Sequence, residues 1–424
     1  MCVDRRGFFK QATAAASAWA VGAGTGFAGE AEVYEAPESI RSLKPMLDGI
    51  APITIDERRV RIEKAKKLMA ENGIDTLYVE SGSSLSYYTG VSWGRSERMF
   101  AWVLPAKGEP AWVCPKFEEE RARELIKFGT DIRAWEEHES PYKLVAGILR
   151  DRGVAAGKIG FEESARFFLM DGIRKEAPAL EPVSADPVTV GCRVIKSPTE
   201  LALMQRSNDI TLAAYKAASA TLREGITQFE FSANLAAAFQ ALGAPGGGAG
   251  AQFGKYSAFP HGSITPQKLR EGDVVLIDGG CRVEGYSSDI SRTLVYGKPS
   301  GRQRQVWDLE RKAQDAAIAA VKPGVPCEAV DAAARKVITD GGFGPDYKFF
   351  THRVGHGIGL DGHEWTYLVK DNKTPLRPGM CFSDEPGIYI YGEFGVRLED
   401  CFYVTEDGGK LFTPQSPSID QPFV

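Results

Sequence analysis

The chain has 424 residues, 43% of them hydrophobic and 25% charged, which suits a globular protein of roughly two or three domains with a sizeable core. A formal charge of -5 and the lack of any long basic run exclude a nucleic-acid surface as the organising feature. Beyond the first thirty or so residues, no segment is long and apolar enough to cross a bilayer.

The N-terminus is of a different character. Asp4-Arg5-Arg6-Gly7-Phe8-Phe9-Lys10 precedes an Ala/Gly-rich apolar stretch, Gln11 to Ala28, that holds no acidic residue. A twin arginine followed by aromatics and a lysine resembles a bacterial twin-arginine export signal, and the small residues Gly26 and Ala28 place its cleavage after Ala28. The resemblance implies passage through the twin-arginine export machinery to the periplasm or medium, with no stable membrane insertion afterwards. Loss of residues 1–28 removes Arg5, Arg6 and Lys10 against Asp4, taking the formal charge from -5 to about -7. Six of the seven cysteines remain, at 114, 192, 281, 327, 381 and 401. They lie inside apolar patterns such as Trp112-Val113-Cys114, and none forms a Cys-x-x-Cys pair. Buried free thiols are therefore expected, not disulfides or a structural zinc site.

Residues 29–53 read as a linker, with several prolines and no clear period. A domain over 54–190 follows. Val60, Ile62, Ala65, Leu68 and Met69 mark an amphipathic helix over 56–72 that Asn72-Gly73 stops. Strands are expected at Ile74 to Val79, Ala101 to Leu104, Ala111 to Cys114 and Lys158 to Phe161, giving a small α/β domain. The region 191–424 then opens with the capping box Ser197-Pro198-Thr199-Glu200, which starts a helix running to about Leu222. Thr227-Gln228-Phe229-Glu230 repeats the signal for a helix ending near Gly243. Strands near 251–260, 273–279 and 287–296 follow, then helices near 303–321 and 327–340, then strands near 380–391 and 396–404. Two halves of helix pair plus sheet predict an α+β fold: a pseudo-twofold central antiparallel sheet covered by helices.

Asp278 ends the apolar run Val274-Val275-Leu276-Ile277, and Asp289 opens the returning strand, so a hairpin can bring both carboxylates to one edge. Each on its own is equally an ordinary strand-end aspartate. More telling is the distribution of the five histidines: His352, His356 and His363 fall within His352–His363, leaving only His138 and His261 elsewhere. The four glycines in that segment make it a poor helix, so this is no zincin-type helical pair, and they allow close approach of the backbone to a ligand. Glu385 lies at a turn, Asp384-Glu385-Pro386-Gly387. Glu399 has apolar neighbours, where a carboxylate is costly unless it is metal-bound or paired with Arg397. His138, amid Glu136, Glu137 and Glu139, reads as a solvated surface residue.

Lys255-Tyr256-Ser257-Ala258-Phe259-Pro260-His261, followed in order by Asp278, Asp289, His356, Glu385 and Glu399, resembles the creatinase/aminopeptidase P/methionine aminopeptidase superfamily, known as pita-bread proteins. Within it the chain is most similar to the short Xaa-Pro aminopeptidases and prolidases, over roughly residues 56 to 405. The resemblance implies a pita-bread catalytic domain behind a smaller creatinase-like α/β domain. It also implies two divalent metal ions held by those five residues, with Asp289 and Glu399 bridging. A further implication is a homodimer or higher homo-oligomer, in which Trp93 of the N-terminal domain could line a neighbour's pocket; internal packing is the alternative. Four carboxylates and one imidazole make a hard site suited to manganese, with cobalt or zinc possible. A hydroxide bridging two such ions attacks a carbonyl. By the same resemblance Glu385 takes the water's proton and His363 steadies the oxyanion. His352 and His261 contact the substrate, and Arg397 orients the bridging carboxylates. The glycines from Pro245 to Gly250 are expected to shape backbone, since no dinucleotide or phosphate-loop pattern accompanies them.

Three functions follow from these residues. The first is a proline-specific exopeptidase acting on peptide N-termini or Xaa-Pro dipeptides. The second is a metal-dependent C–N hydrolase of a small non-peptide amide, and the third is a non-catalytic binding protein of the same fold. Retention of all five ligand types weighs against the third.

Overall fold

A computed structural model of the chain describes residues 35–423. The export-signal reading and its cleavage point fall on residues outside that range. The stretch expected to be a linker is, over 36–53, a strap. Its short helix Glu38–Arg41 buries Ile40, Met46 N donates to Leu242 O at 2.9 Å, and Met46, Ile50 and Ile53 pack against the core. Those apolar side chains give the segment a reason to dock where prolines alone suggested freedom.

Six strands then form a mixed sheet. Thr76–Glu80 pairs antiparallel with Ala101–Pro105 and parallel with Gly157–Phe161. The order continues through Ala111–Pro115 to Ile132–Trp135 on one side and to Leu180–Ser184 on the other. Its central strands are buried along their whole length, as a sheet covered on both faces requires. Helix Ile55–Asn72 is capped by the Thr54 side chain and stopped by Gly73 at φ 63°, the glycine supplying the left-handed conformation cheaply. Trp93 stacks on Phe100 with centroids 3.9 Å apart and lies under Arg121. The six cysteines among the described residues are buried and unpaired, and no described helix is long and apolar enough to cross a membrane.

Both predicted capping boxes form, at the heads of helices Pro198–Ser219 and Gln228–Ala241, and a third caps Gly301–Ala320 through Ser300 and Gln303. The next strand is Gly248–Phe253, shorter than the expected 251–260. Gly254 turns the chain at φ 54° into a short 3-10 helix, with Asp273 packed against the space its Cβ would occupy. That strand, Val274–Gly280 and Ile290–Val295 form one antiparallel sheet. The connection between the last two carries a small ribbon, Arg282–Val283 with Tyr286–Ser287. Its tight turn places Glu284 and Gly285 at positive φ, as a two-residue hairpin with type I′ twist demands.

The second half builds a five-stranded antiparallel sheet in the order Glu364–Leu368, Gly355–Gly357, Cys381–Asp384, Asp400–Val404, Gly409–Leu411. What was expected as one strand over 396–404 is two. Phe394–Arg397 pairs with Gly387–Ile390, whereas Asp400–Val404 pairs with Cys381–Asp384. Glu399 lies in the break and makes a single bridge to Ser291. That bridge joins the two sheets, so the seam between the halves runs through Glu399.

Candidate metal centre and active site

All nine residues singled out from the sequence line one cavity of about 450 Å³ at this seam: His261, Asp278, Asp289, His352, His356, His363, Glu385, Arg397 and Glu399, joined by Arg353 and Val369. The first half supplies Asp278 near the end of its strand and Asp289 just before the next, so the hairpin does bring them to one edge. The second half supplies His356 from the middle of Gly355–Gly357 and Glu385 from the turn after Asp384. The glycines flanking His356 serve close strand packing and not ligand approach. A Cβ on Gly355 would meet Ser383 O at 2.1 Å, and one on Gly357 would meet Glu364 O at 2.6 Å.

Three overlapping sets of donor atoms lie within 4.8 Å of one another: Asp278, Asp289 and Glu399; His356, Glu385 and Glu399; and Asp289, His356 and His363. The first two divide the five expected ligands into two groups that share Glu399. His356 Nε2 is 3.3 Å from Glu385 Oε1 and 3.8 Å from Asp289 Oδ2. His356 Nδ1 lies 3.1 Å from the carbonyl oxygen of Gly357. A carbonyl only accepts, so the proton is on Nδ1 and Nε2 presents its lone pair to the cavity, the tautomer that a metal ligand needs.

The charges fit divalent cations. Burial, then Asp278 and Glu385, pushes the Asp289 carboxyl well above its ordinary range, and burial, then Asp289, Glu385 and Asp278, does the same to Glu399. Burial lifts Glu385 to about 7 against the opposing pull of Arg397. Burial also lowers His356 to about 3, with His363 next in importance, so its imidazole is neutral near pH 7. Four crowded carboxylates facing one close guanidinium are a site short of positive charge, which two divalent ions would supply.

Arg397 differs from expectation in its partner. Its nearest carboxylate is Asp278, at 2.6 Å, while Glu399 is 3.9 Å away. It reaches the rest through Ser291, whose Oγ accepts from Arg397 Nε at 2.8 Å and lies 2.8 Å from Asp278 Oδ1 and 2.7 Å from Glu399 Oε2. His352 differs too, since both its ring nitrogens are engaged by the protein. Nδ1 donates to Arg353 O at 2.8 Å, so Nε2 accepts from the Tyr389 hydroxyl at 2.7 Å. Tyr389 in turn accepts from Arg397 Nη1 at 3.1 Å. His261 is exposed at the cavity mouth, and His138 is exposed far along the chain from the ligand set.

Sequence reasoning missed Ser291, Ser383, Tyr389 and Arg353. Two of them carried a usable signal. Ser291 follows Asp289 by two residues and Ser383 precedes Glu385 by two, the spacing that puts strand neighbours on one face. Ser383 Oγ donates to Glu385 Oε1 at 3.2 Å and accepts from His356 N at 3.0 Å. Behind this layer, Asp384 and Glu310 are fully buried, and burial pushes both carboxyls well above their ordinary range.

The family model for metallopeptidase family M24 matches residues 202–406, and that for the creatinase/prolidase N-terminal domain matches residues 61–195. An Xaa-Pro dipeptidase of Lactobacillus helveticus is 33% identical over 84% of this chain and 96% of its own length. The chain belongs to metallopeptidase family M24. Among solved structures, dipeptidase PepE from Mycobacterium ulcerans superposes with a TM-score of 0.82 at 33% identity, covering 88% of this chain and all of that one. Prolidase from Thermococcus sibiricus gives 0.78 at 30%, covering 84% and 97%. The protein is thus an M24 metallopeptidase, with a creatinase-like N-terminal domain ahead of a pita-bread catalytic domain.

Proposed function

We propose that this metallopeptidase is a dinuclear-metal exopeptidase that hydrolyses Xaa-Pro bonds, at peptide N-termini or in Xaa-Pro dipeptides. The observation that carries the dinuclear reading is the pair of donor groups, Asp278/Asp289/Glu399 and His356/Glu385/Glu399, meeting at a shared Glu399. The proline preference is supported by the Xaa-Pro dipeptidase and prolidase relatives. Asp278, Asp289, His356, Glu385 and Glu399 would hold the ions. Oxygen donors outnumber nitrogen four to one, which favours manganese. When bound, such ions would supply Lewis acidity, lowering the pKa of a water and polarising a peptide carbonyl.

The protein's own groups do the rest. Glu385, partly exposed to the cavity, takes the proton from the attacking water and returns it to the departing proline nitrogen. His363 Nδ1 is 3.2 Å from Arg353 Nη2. A guanidinium only donates, so in the neutral ring the proton is on Nε2, leaving that N–H to stabilise the developing oxyanion. His261 at the mouth meets the substrate directly. His352, locked between Arg353 O and Tyr389, presents its ring edge and holds Tyr389 in line with Arg397. Arg397 and Ser291 keep the ligating carboxylates aimed inward. The twin-arginine motif supports export to the periplasm, and Arg5→Lys with Arg6→Lys should retain the protein in the cytoplasm.

A direct test is metal content together with release of free amino acid from a panel of Xaa-Pro dipeptides and longer peptides, with Asp289→Ala as control. Metal present without cleavage across the panel would remove the peptidase reading and leave a hydrolase of other amides. Protein matured with manganese that holds no stoichiometric metal would remove both.

A further inference from the structure

The loop that carries His363 is held by residues that lie before the stretch 202–406 matched by the M24 model. Arg193, the last residue of helix Asp186–Arg193, lies within the N-terminal segment matched by the creatinase/prolidase model. Its Nη2 bonds Asp361 Oδ2 at 2.6 Å and also Glu364 Oε1. Asp361 and Glu364 bracket His363 in the chain. Lys196 Nζ binds the other Glu364 oxygen at 2.9 Å, and Ser83 Oγ donates to Asp361 Oδ1 at 2.5 Å. The loop backbone is drawn onto the same cluster. Asp361 N donates to Glu364 Oε1 at 3.2 Å, and a Cβ on Gly359 would meet both Glu364 oxygens at 2.8 Å. By contrast, His363 itself is exposed, its ring resting on His356 with centroids 3.7 Å apart.

We propose that Arg193 and Asp361 are positioning residues for His363, through which the N-terminal domain sets the geometry of the oxyanion donor. The physical reason is the division of labour in the loop. The residues before and after His363 are pinned together by one guanidinium nitrogen, Arg193 Nη2, that binds two carboxylates at once, each contact a charge-assisted hydrogen bond. The imidazole is left with one stacking face and one bond to Arg353. Slack in the pins therefore appears as displacement of His363, and a displacement of about 1 Å in a catalytic group can cost on the order of a hundredfold in rate. This inference rests on the oxyanion role given to His363 above.

The test uses the full chain and Ala-Pro. Asp361→Asn is the informative variant, because the Asp361 side chain is 46% exposed and the change is nearly isosteric, so the fold should tolerate it. Expected is a fall in kcat of about tenfold with KM within about twofold, and unchanged metal content and Tm. In a His363→Ala background the same substitution should have no further effect, because its route has been removed. Losses that multiply in the double variant overturn the inference, as does an Asp361→Asn enzyme with wild-type kcat. Arg193→Met should show the same signature if it folds, and Arg193→Lys should recover part of the loss. If His363→Ala alone leaves kcat intact, the oxyanion role is lost instead. An arm independent of turnover is the histidine side-chain NMR spectrum of the zinc-loaded chain, assigned with His363→Ala. Asp361→Asn should shift or broaden the His363 signal and leave His261 in place; an unmoved His363 signal overturns the inference even if no peptide is cut.

Discussion

Replacing Arg397 with methionine should destabilise the metal-free protein yet tighten its hold on metal. The guanidinium is buried, with 3% of its side chain exposed. It bonds Asp278 at 2.6 Å, Ser291 Oγ at 2.8 Å, Pro260 O at 2.8 Å and Tyr389 OH at 3.1 Å. Without metal it is the nearest counter-charge to four carboxylates, and removing one partner of a buried pair costs about 3–5 kcal/mol, toward the lower end here because the Asp278 side chain is 34% exposed. With two divalent ions in place the carboxylates are neutralised by other means. The loss then shrinks to polar groups left without a partner, about 1–3 kcal/mol. The difference of about 2 kcal/mol must appear as metal affinity, a gain of about thirtyfold. Urea unfolding with and without manganese measures the two stabilities, and chelator competition measures the affinity; kcat should fall because Asp278 and Tyr389 lose their anchor. Unchanged or weaker metal affinity would refute the reasoning, since it would mean that the aiming of ligands by Arg397 outweighs its balancing of their charge.

Two further outcomes concern the same layer. In the metal-free fold Glu385 keeps its proton up to about 7, against 4.5 ordinarily. Its stabilising contribution is therefore complete below 4.5 and lost as pH rises through about 7. His352 and His356, both lowered to about 3 from 6.5 chiefly by burial, act oppositely: their contribution is complete above 6.5 and lost as pH falls through about 3. Metal must displace the protons of Glu385 and of the still more strongly raised Asp289 and Glu399, so affinity should climb with pH through about 7. Calorimetry at pH 6 in two buffers of different ionisation enthalpy reads that proton release, and identical heats would contradict it. Ser291→Ala removes a hydroxyl that touches Arg397, Asp278 and Glu399 together. It should cost about 1 kcal/mol of stability and lower kcat with both ions retained; wild-type turnover would show that the hydroxyl aims nothing.

Asp278, His356 and Glu399 were legible as candidate ligands from their immediate neighbours, and all five as a set through the order that carries the resemblance. Asp278 ends an apolar strand, His356 is set among glycines, and Glu399 lies where an isolated carboxylate is expensive. The helix starts were legible for the same reason, since a capping box spans only four residues. Tyr389 and Arg353 were not, because nothing local separates them from ordinary packed or solvated residues; Ser291 and Ser383 were signalled only by their two-residue spacing from Asp289 and Glu385. The roles of His352 and Arg397 shifted once their partners were known. The ring nitrogens of His352 are taken by Arg353 O and Tyr389, and the arginine's closest carboxylate is Asp278.

What the sequence by itself determined is the chemistry on offer: four carboxylates and one imidazole in a fixed order, on segments whose periodicity and caps name them as strand, turn or helix. These are short-range properties, settled by residues within a few positions of one another. Only the tertiary structure decided which of these groups meet. Ser291 and Glu399 are 108 residues apart in the chain, and Arg193 and Glu364 are 171 apart. Each pair becomes adjacent because two buried sheets and a helix end pack in one register, a choice made by the sum of all core contacts and written in no local pattern.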